Sequence, residues 1–237
     1  HPILHSFPTR RSSDLRTGLG TGRDKGKANW SSYYKFMNTQ LTELLTHYGP
    51  IGAVWFDGWW DHDSDAKPFD WQLPEQYAMI HKLQPQCLIG NNHHQTPFAG
   101  EDIQIFERDL PGENKAGLSG QSISRLSLES CQTINEHWGY NITDTLYKSP
   151  KELIQMLVRT AGKNANLLLN IGPEPGGALP ELALNRLQAI GEWLNKYGET
   201  IYGTRGGIVA PHDWGVSTQR GNKLYIHILN CMDSSLF

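Results

Sequence analysis

Short, continuous apolar runs alternate with amphipathic helical patterns along most of this chain, and nearly every run stops at a polar, aromatic-rich loop. This order constrains the fold more than any other feature. A strand that is apolar at every position is buried on both faces, and intervening helices are what cover both faces of a parallel sheet. The clearest runs are IGAVWFD (51–57), CLIGNN (87–92) and ANLLLNIGP (165–173), with DIQIF (102–106) and residues 128–134 as further strands. Helices are expected at 30–48, stopped by Gly49-Pro50, at 74–84, at 150–162 behind Ser149-Pro150, and at 180–197. The aromatic residues Trp30, Tyr33, Trp193 and Tyr197 on helical faces are read as core. After Gly198 the pattern changes, and KLYIHIL (223–229) reads as antiparallel β.

The implied fold class is α/β: a partial (β/α)8, TIM-like barrel followed by the beginning of an antiparallel β-sandwich. A complete barrel has eight units and typically ~250 residues of its own, and fewer units are visible here. The domain reading is 1–26 as an unstructured or foreign N-terminal segment, 27–203 as partial barrel and 204–237 as the start of the β domain. Residues 1–26 follow neither hydrophobic period and lack the apolar stretch of a secretion signal, so they give no localisation. The chain is expected to be the second half of a barrel.

Composition mainly excludes. A net charge of −3 carries no electrostatic footprint for nucleic acid. No apolar run approaches the ~18 residues of a membrane helix. Cys87, Cys131 and Cys231 are odd in number and widely spaced, so they signal neither a disulfide framework nor a zinc cluster. The 8 Trp and 10 His against 19% charged residues suit a pocket that stacks on and hydrogen-bonds a neutral polar ligand such as a sugar.

Chemistry at the carboxyl ends of barrel strands points first to Asp57, which closes the run AVWFD. Glu101, in the loop after the next strand, is the second carboxylate. Trp55, Trp59, Trp60, His93 and His94 flank the pair as candidate sugar contacts. Taken singly, each acid reads more readily as a loop residue than as a catalytic one. Together they supply what glycoside hydrolysis needs: one carboxylate to meet the oxocarbenium-like centre and one acid to protonate the leaving oxygen. Glu129, near another strand, competes for the acid's place. Asp61, His62, Asp63 and Asp65 form a loop cluster read as a solvated turn, and no metal site is assigned. Gly172, Gly176 and Gly177 lack the order of a dinucleotide fingerprint.

The segments YGPIGAVWFDGWW, GEDIQIFERDLPG, ESCQTINEHWGYN and NLLLNIGPEPGGALP, with YGETIYGT after a helix, resemble the family 29 glycoside hydrolases, the α-L-fucosidases. The resemblance runs from about Trp30 to Gly203. It implies a (β/α) barrel with a C-terminal β-sandwich, and retaining hydrolysis of terminal α-L-fucose without metal or cofactor. The substrate would be a fucosylated oligosaccharide or glycoconjugate. The setting would be periplasmic, secreted or lysosome-like, with no membrane or nucleic-acid partner. Carried onto this chain, Asp57 is the nucleophile and Glu101 the acid/base, with Glu129 as the alternative acid/base. The Glu101 type implies action on α-1,3/1,4-linked fucose and carboxyl groups ~5–5.5 Å apart. The family's first barrel half has no counterpart in residues 1–26, so the chain alone is expected to be poorly active. Two readings stay open beside this one: a non-catalytic carbohydrate-binding remnant, and a retaining hydrolase or transglycosylase for another neutral sugar.

Overall fold

The computed structural model describes residues 3–5, 29–59 and 69–230, with residues 3–5 as backbone only. It divides into two compact units, residues 1–105 with 121–127, and residues 106–120 with 128–237.

In the first unit β1 (Ile3–His5), β2 (Ala53–Asp57), β3 (Leu88–Asn92) and β4 (Ile103–Glu107) lie side by side in chain order. Their pairings are parallel, with Asp57 opposite Asn92 and Gly90 opposite Ile103. β4 runs through the point where the units divide. Two helices cover one face, α1 (Trp30–His47) and α2 (Leu73–Leu83). Asn29 starts α1 by accepting the Ser32 N–H at 2.9 Å. Met37, Leu41 and Leu45, four residues apart, then form its buried stripe. They pack with Val54 and Phe56 of β2, Ile89 of β3, and Tyr77 and Ile80 of α2. Buried Gln84 stitches the turn into β2: its Oε1 accepts the Ile51 N–H at 2.7 Å, and its Nε2 donates to the Leu45 and Gly49 carbonyls at 2.7 and 2.9 Å.

The second unit holds β5 (Ser127–Thr133) paired in parallel with β6 (Ala165–Asn170), joined through α3 (Pro150–Gly162). α3 opens with a full capping box between Ser149 and Glu152. α4 (Glu181–Tyr197) follows, and Leu153, Ala183 and Ile134 share its core. A small antiparallel sheet ends the described chain: β7 (Arg205–Gly206), β8 (Gly215–Arg220) and β9 (Lys223–Ile228). It packs on α3 within the same unit, where Gln155 Nε2 donates to the Leu229 carbonyl at 2.9 Å.

The fold is therefore α/β: part of a (β/α) barrel, then a small antiparallel sheet. Residues 3–5, within the segment read as irregular, form a strand on β2, with Ile3 opposite Ala53. The described remainder departs from expectation mostly at element ends. β4 runs one residue further than expected, to Glu107. Tyr197, expected in the core, is 41% exposed with the Lys196 ammonium over its ring.

Candidate active site

Side chains alternate across a strand, so the helix-covered face of the first unit identifies the other. Val54, Phe56 and Ile89 face the helices. Ala53, Trp55, Asp57, Gly90 and Asn92 therefore lie on the opposite face, where a barrel has its interior. Gly90 leaves room there for Ile105, whose Cδ1 lies 3.1 Å from where a Cβ would sit. Asp57 is the last residue of β2, half-buried, and its Oδ1 accepts from Asn92 Nδ2 at 3.2 Å. Gly58 follows with φ +82°, which turns the chain sharply away from the strand and leaves the carboxylate at its end.

Glu101 lies elsewhere. Its side chain is 1% exposed, on the helix side of the sheet, where Tyr77 Oη donates to its Oε1 at 2.9 Å. The same hydroxyl accepts from Asn91 Nδ2 at 2.8 Å. Burial, then the charge of Glu101, push the Tyr77 phenol far up, so the hydroxyl keeps its proton and donates. His93 Nε2 contacts both carboxylate oxygens, at 3.0 and 3.2 Å. His93 Nδ1 accepts the Gln95 N–H at 3.0 Å, so the ring proton is on Nε2 and points at Glu101. Gly100, at φ +96°, lets the chain close on Tyr77, whose Cβ would lie 3.2 Å from an added Cβ. Asp102 pins the other end of this loop: its Oδ2 accepts from the Ile89 N–H at 2.9 Å and from His81 Nε2 at 3.0 Å.

The expected sugar contacts separate in the same way. Trp55 is on the face of Asp57. His93 is buried, stacked on Phe98 at 4.3 Å with both nitrogens engaged, which is a structural place rather than a sugar-facing one. Trp59, half-buried, meets the rings of His93 and Phe98 edge-on at 6.4 and 6.0 Å. His94 turns the loop after β3 at φ +61°. Trp60 and the cluster Asp61, His62, Asp63 and Asp65 lie outside the described residues. Cys87 and Cys131 are buried free thiols, and Cys231 is not among the described residues. Among the described residues no three His, Cys, Asp or Glu side chains gather in a way that holds a metal.

In the second unit Glu129 is the third residue of the seven-residue β5, opposite Asn166, well short of the strand's carboxyl end at Thr133. Beyond β5, Trp138 lies under the Arg108 guanidinium at 5.4 Å, and its carbonyl accepts from Asn170 Nδ2 at 2.6 Å. Gly172 fits against the Gly139–Tyr140 backbone, where any Cβ would overlap. Residues 137–142 line an open cleft of about 570 Å³, with Tyr140 exposed. His137 Nδ1 contacts Asp144 Oδ2 at 2.7 Å, and this bond holds the Asp144 carboxyl below its ordinary value.

Sequence reasoning passed over Asn92, Tyr77 and Glu107. Glu107 closes β4 as Asp57 closes β2, half-buried, on the strand face of Ile103 and Ile105. The strand-end criterion that singled out Asp57 would have found it, had the strand not been ended at Phe106.

A parallel β/α array with strand-end carboxylates among aromatic rings is the build of a (β/α)-barrel glycosidase. The alpha-L-fucosidase family profile matches residues 7–199, and the chain belongs to that family. The match takes in much of the N-terminal segment that the sequence reading set apart. The alpha-L-fucosidase of Dictyostelium discoideum is 40% identical over 209 residues, 86% of this chain and 41% of that protein. Among solved structures, alpha-L-fucosidase isoenzyme 1 from Paenibacillus thiaminolyticus is 35% identical with a TM-score of 0.71, covering 93% of this chain and 51% of its own. A GH29 alpha-L-fucosidase from Bacteroides thetaiotaomicron, solved as a trapped covalent intermediate with 2-fluoro-fucosyl fluoride, is 26% identical with a TM-score of 0.64 and covers 80% of this chain and 45% of its own. The chain thus spans about half or less of each relative's length. Among the described residues no helix is long and apolar enough to cross a membrane.

Proposed function

We propose that these residues form the nucleophile-bearing part of a retaining α-L-fucosidase that releases terminal fucose from glycans. The observation that carries this is Asp57: a half-buried carboxylate at the end of a parallel strand, on the face away from the helices, oriented by Asn92. Its carboxylate attacks the anomeric carbon, and the C–O bond to the aglycone breaks. The departing oxygen takes its proton from a glutamic acid. Water then cleaves the fucosyl–Asp57 ester, giving its proton back to that glutamate. The covalent intermediate trapped in the Bacteroides thetaiotaomicron relative supports the two-step course.

For the acid/base, Glu107 is the better candidate than Glu101 or Glu129. A general acid must present a proton to the substrate. Glu101 Oε1 instead accepts from Tyr77 and His93 inside the helix layer. Glu129 sits early in β5, whereas barrel chemistry gathers at carboxyl ends. Glu107 is at such an end. The α-1,3/1,4 linkage preference belongs with Glu101 as acid/base and is not carried over to Glu107. By itself the chain is expected to hydrolyse aryl fucosides poorly, since it spans 41% of the Dictyostelium discoideum relative.

The test is azide rescue on an activated aryl fucoside, in a full-length fucosidase carrying these residues. Removal of the true acid/base is rescued by azide with retention, giving the α-fucosyl azide. Rescue of Glu107→Ala supports the assignment, and rescue of only Glu101→Ala or Glu129→Ala overturns it.

A further inference from the structure

Glu101 is a buried carboxylate without a part in the proposed chemistry, and every one of its described partners donates to it. Asn91 donates to Tyr77, Tyr77 to Glu101, the Gln95 N–H to His93 and His93 to Glu101, at 2.8, 2.9, 3.0 and 3.0 Å. Donors converge on this carboxylate from α2, through Tyr77, and from the loop after β3, through His93, while Asn91 of β3 orients the Tyr77 hydroxyl. A charge buried this deeply is tolerated only when hydrogen bonds replace its water, and these do. They also impose direction. His93 carries its one proton on Nε2 and cannot flip without placing a donor against the Gln95 N–H or an acceptor against the carboxylate. The oriented ring stacks on Phe98 at 4.3 Å, and both rings meet Trp59, two residues past Asp57.

We infer that Glu101 is a positioning residue. With Tyr77 it locks His93 in the Nε2–H form, and the locked His93–Phe98 stack sets the Trp59 ring beside the nucleophile strand as one wall of the sugar site. Glu101 acts through His93 and does not touch the substrate. The wall's use for fucose rests on the reading of Asp57 as the nucleophile. The lock itself does not.

Two measurements keep these apart. Long-range proton–nitrogen spectra of the chain labelled with ¹⁵N-histidine, with His93 assigned by its loss in His93→Asn, should show an Nε2–H ring whose Nδ1 is unprotonated at neutral pH. Glu101→Gln should weaken that preference. An Nδ1–H ring or an imidazolium at His93 overturns the lock, whatever the enzyme proves to do. In a full-length fucosidase carrying these residues, Glu101→Gln should lower kcat/KM roughly tenfold to a hundredfold, the scale on which a misplaced site residue acts. KM should carry most of the loss, both limbs of the pH profile should remain, and azide should give no acceleration. Tyr77→Phe, which removes one of the donors, should give a smaller loss of the same kind. Azide acceleration of Glu101→Gln, or unchanged kcat/KM, overturns the positioning role.

Discussion

Asn92 and Asp57 are register partners on adjacent parallel strands, and the Asn92 amide donates to the Asp57 carboxylate at 3.2 Å. The bond helps to hold the carboxylate in place at the end of its strand. Asn92→Ala should therefore lower kcat in the full-length enzyme by roughly tenfold to a hundredfold through misorientation. Steady-state kinetics on an aryl fucoside check this, and unchanged kcat would remove Asn92 from the site.

Asp57→Gly should abolish turnover while leaving the fold intact, because the residue ends a strand and supports no core. Azide added to this variant enters from the vacated face, and the product should be the inverted β-fucosyl azide. Product stereochemistry by NMR decides it. A retained product from Asp57→Gly would mean that the nucleophile is another residue.

Tyr77→Phe removes one hydroxyl that both donates and accepts. It leaves Asn91 Nδ2 without its described acceptor and Glu101 with one fewer donor. Stability of the chain should fall by about 1–3 kcal/mol, the cost of stranding buried polar groups. Urea denaturation is the measurement.

Gly162 ends α3, where glycine ordinarily costs a helix roughly 0.5–1 kcal/mol relative to alanine. Here a Cβ would overlap Val216 of β8. Gly162→Ala should thus destabilise the second unit by about 1–3 kcal/mol, opposite in sign to the propensity gain. A raised melting temperature for Gly162→Ala would contradict the packing of the small sheet on α3.

Asp144 is held below its ordinary value of 3.8 by the hydrogen bond from His137, helped by the N–H groups of Leu146 and Glu136. A depressed carboxylate contributes stability that is complete above the unfolded value and disappears as pH falls through the folded one. Asp144→Asn should therefore be less stable than the parent chain near pH 7, and the gap should close below 3.8. Denaturation midpoints at several pH values test the trend. A gap that stays open well below 3.8 would mean that Asp144 is not the group responsible.

Helices and strands were legible in the sequence because their signals are local. The stripe Met37, Leu41, Leu45 and the unbroken run AVWFD each carry their period within a few residues. So was the place of Asp57 at the end of a buried strand. The expected pairing of Asp57 with Glu101 was not secured by the same reasoning. Glu101 follows a loop, and no local period says which side of the sheet a loop returns on.

What the sequence determined by itself was the class of fold, the order of its elements and the strand that carries Asp57. Tertiary structure decided the side. Tyr77, 24 residues away, together with Asn91 and His93, draws Glu101 into the helix layer, while β4 extends to end on Glu107. The physical reason is that a buried carboxylate goes where donors replace its water. Those donors come from α2 and from the loop after β3, which only the folded chain brings together.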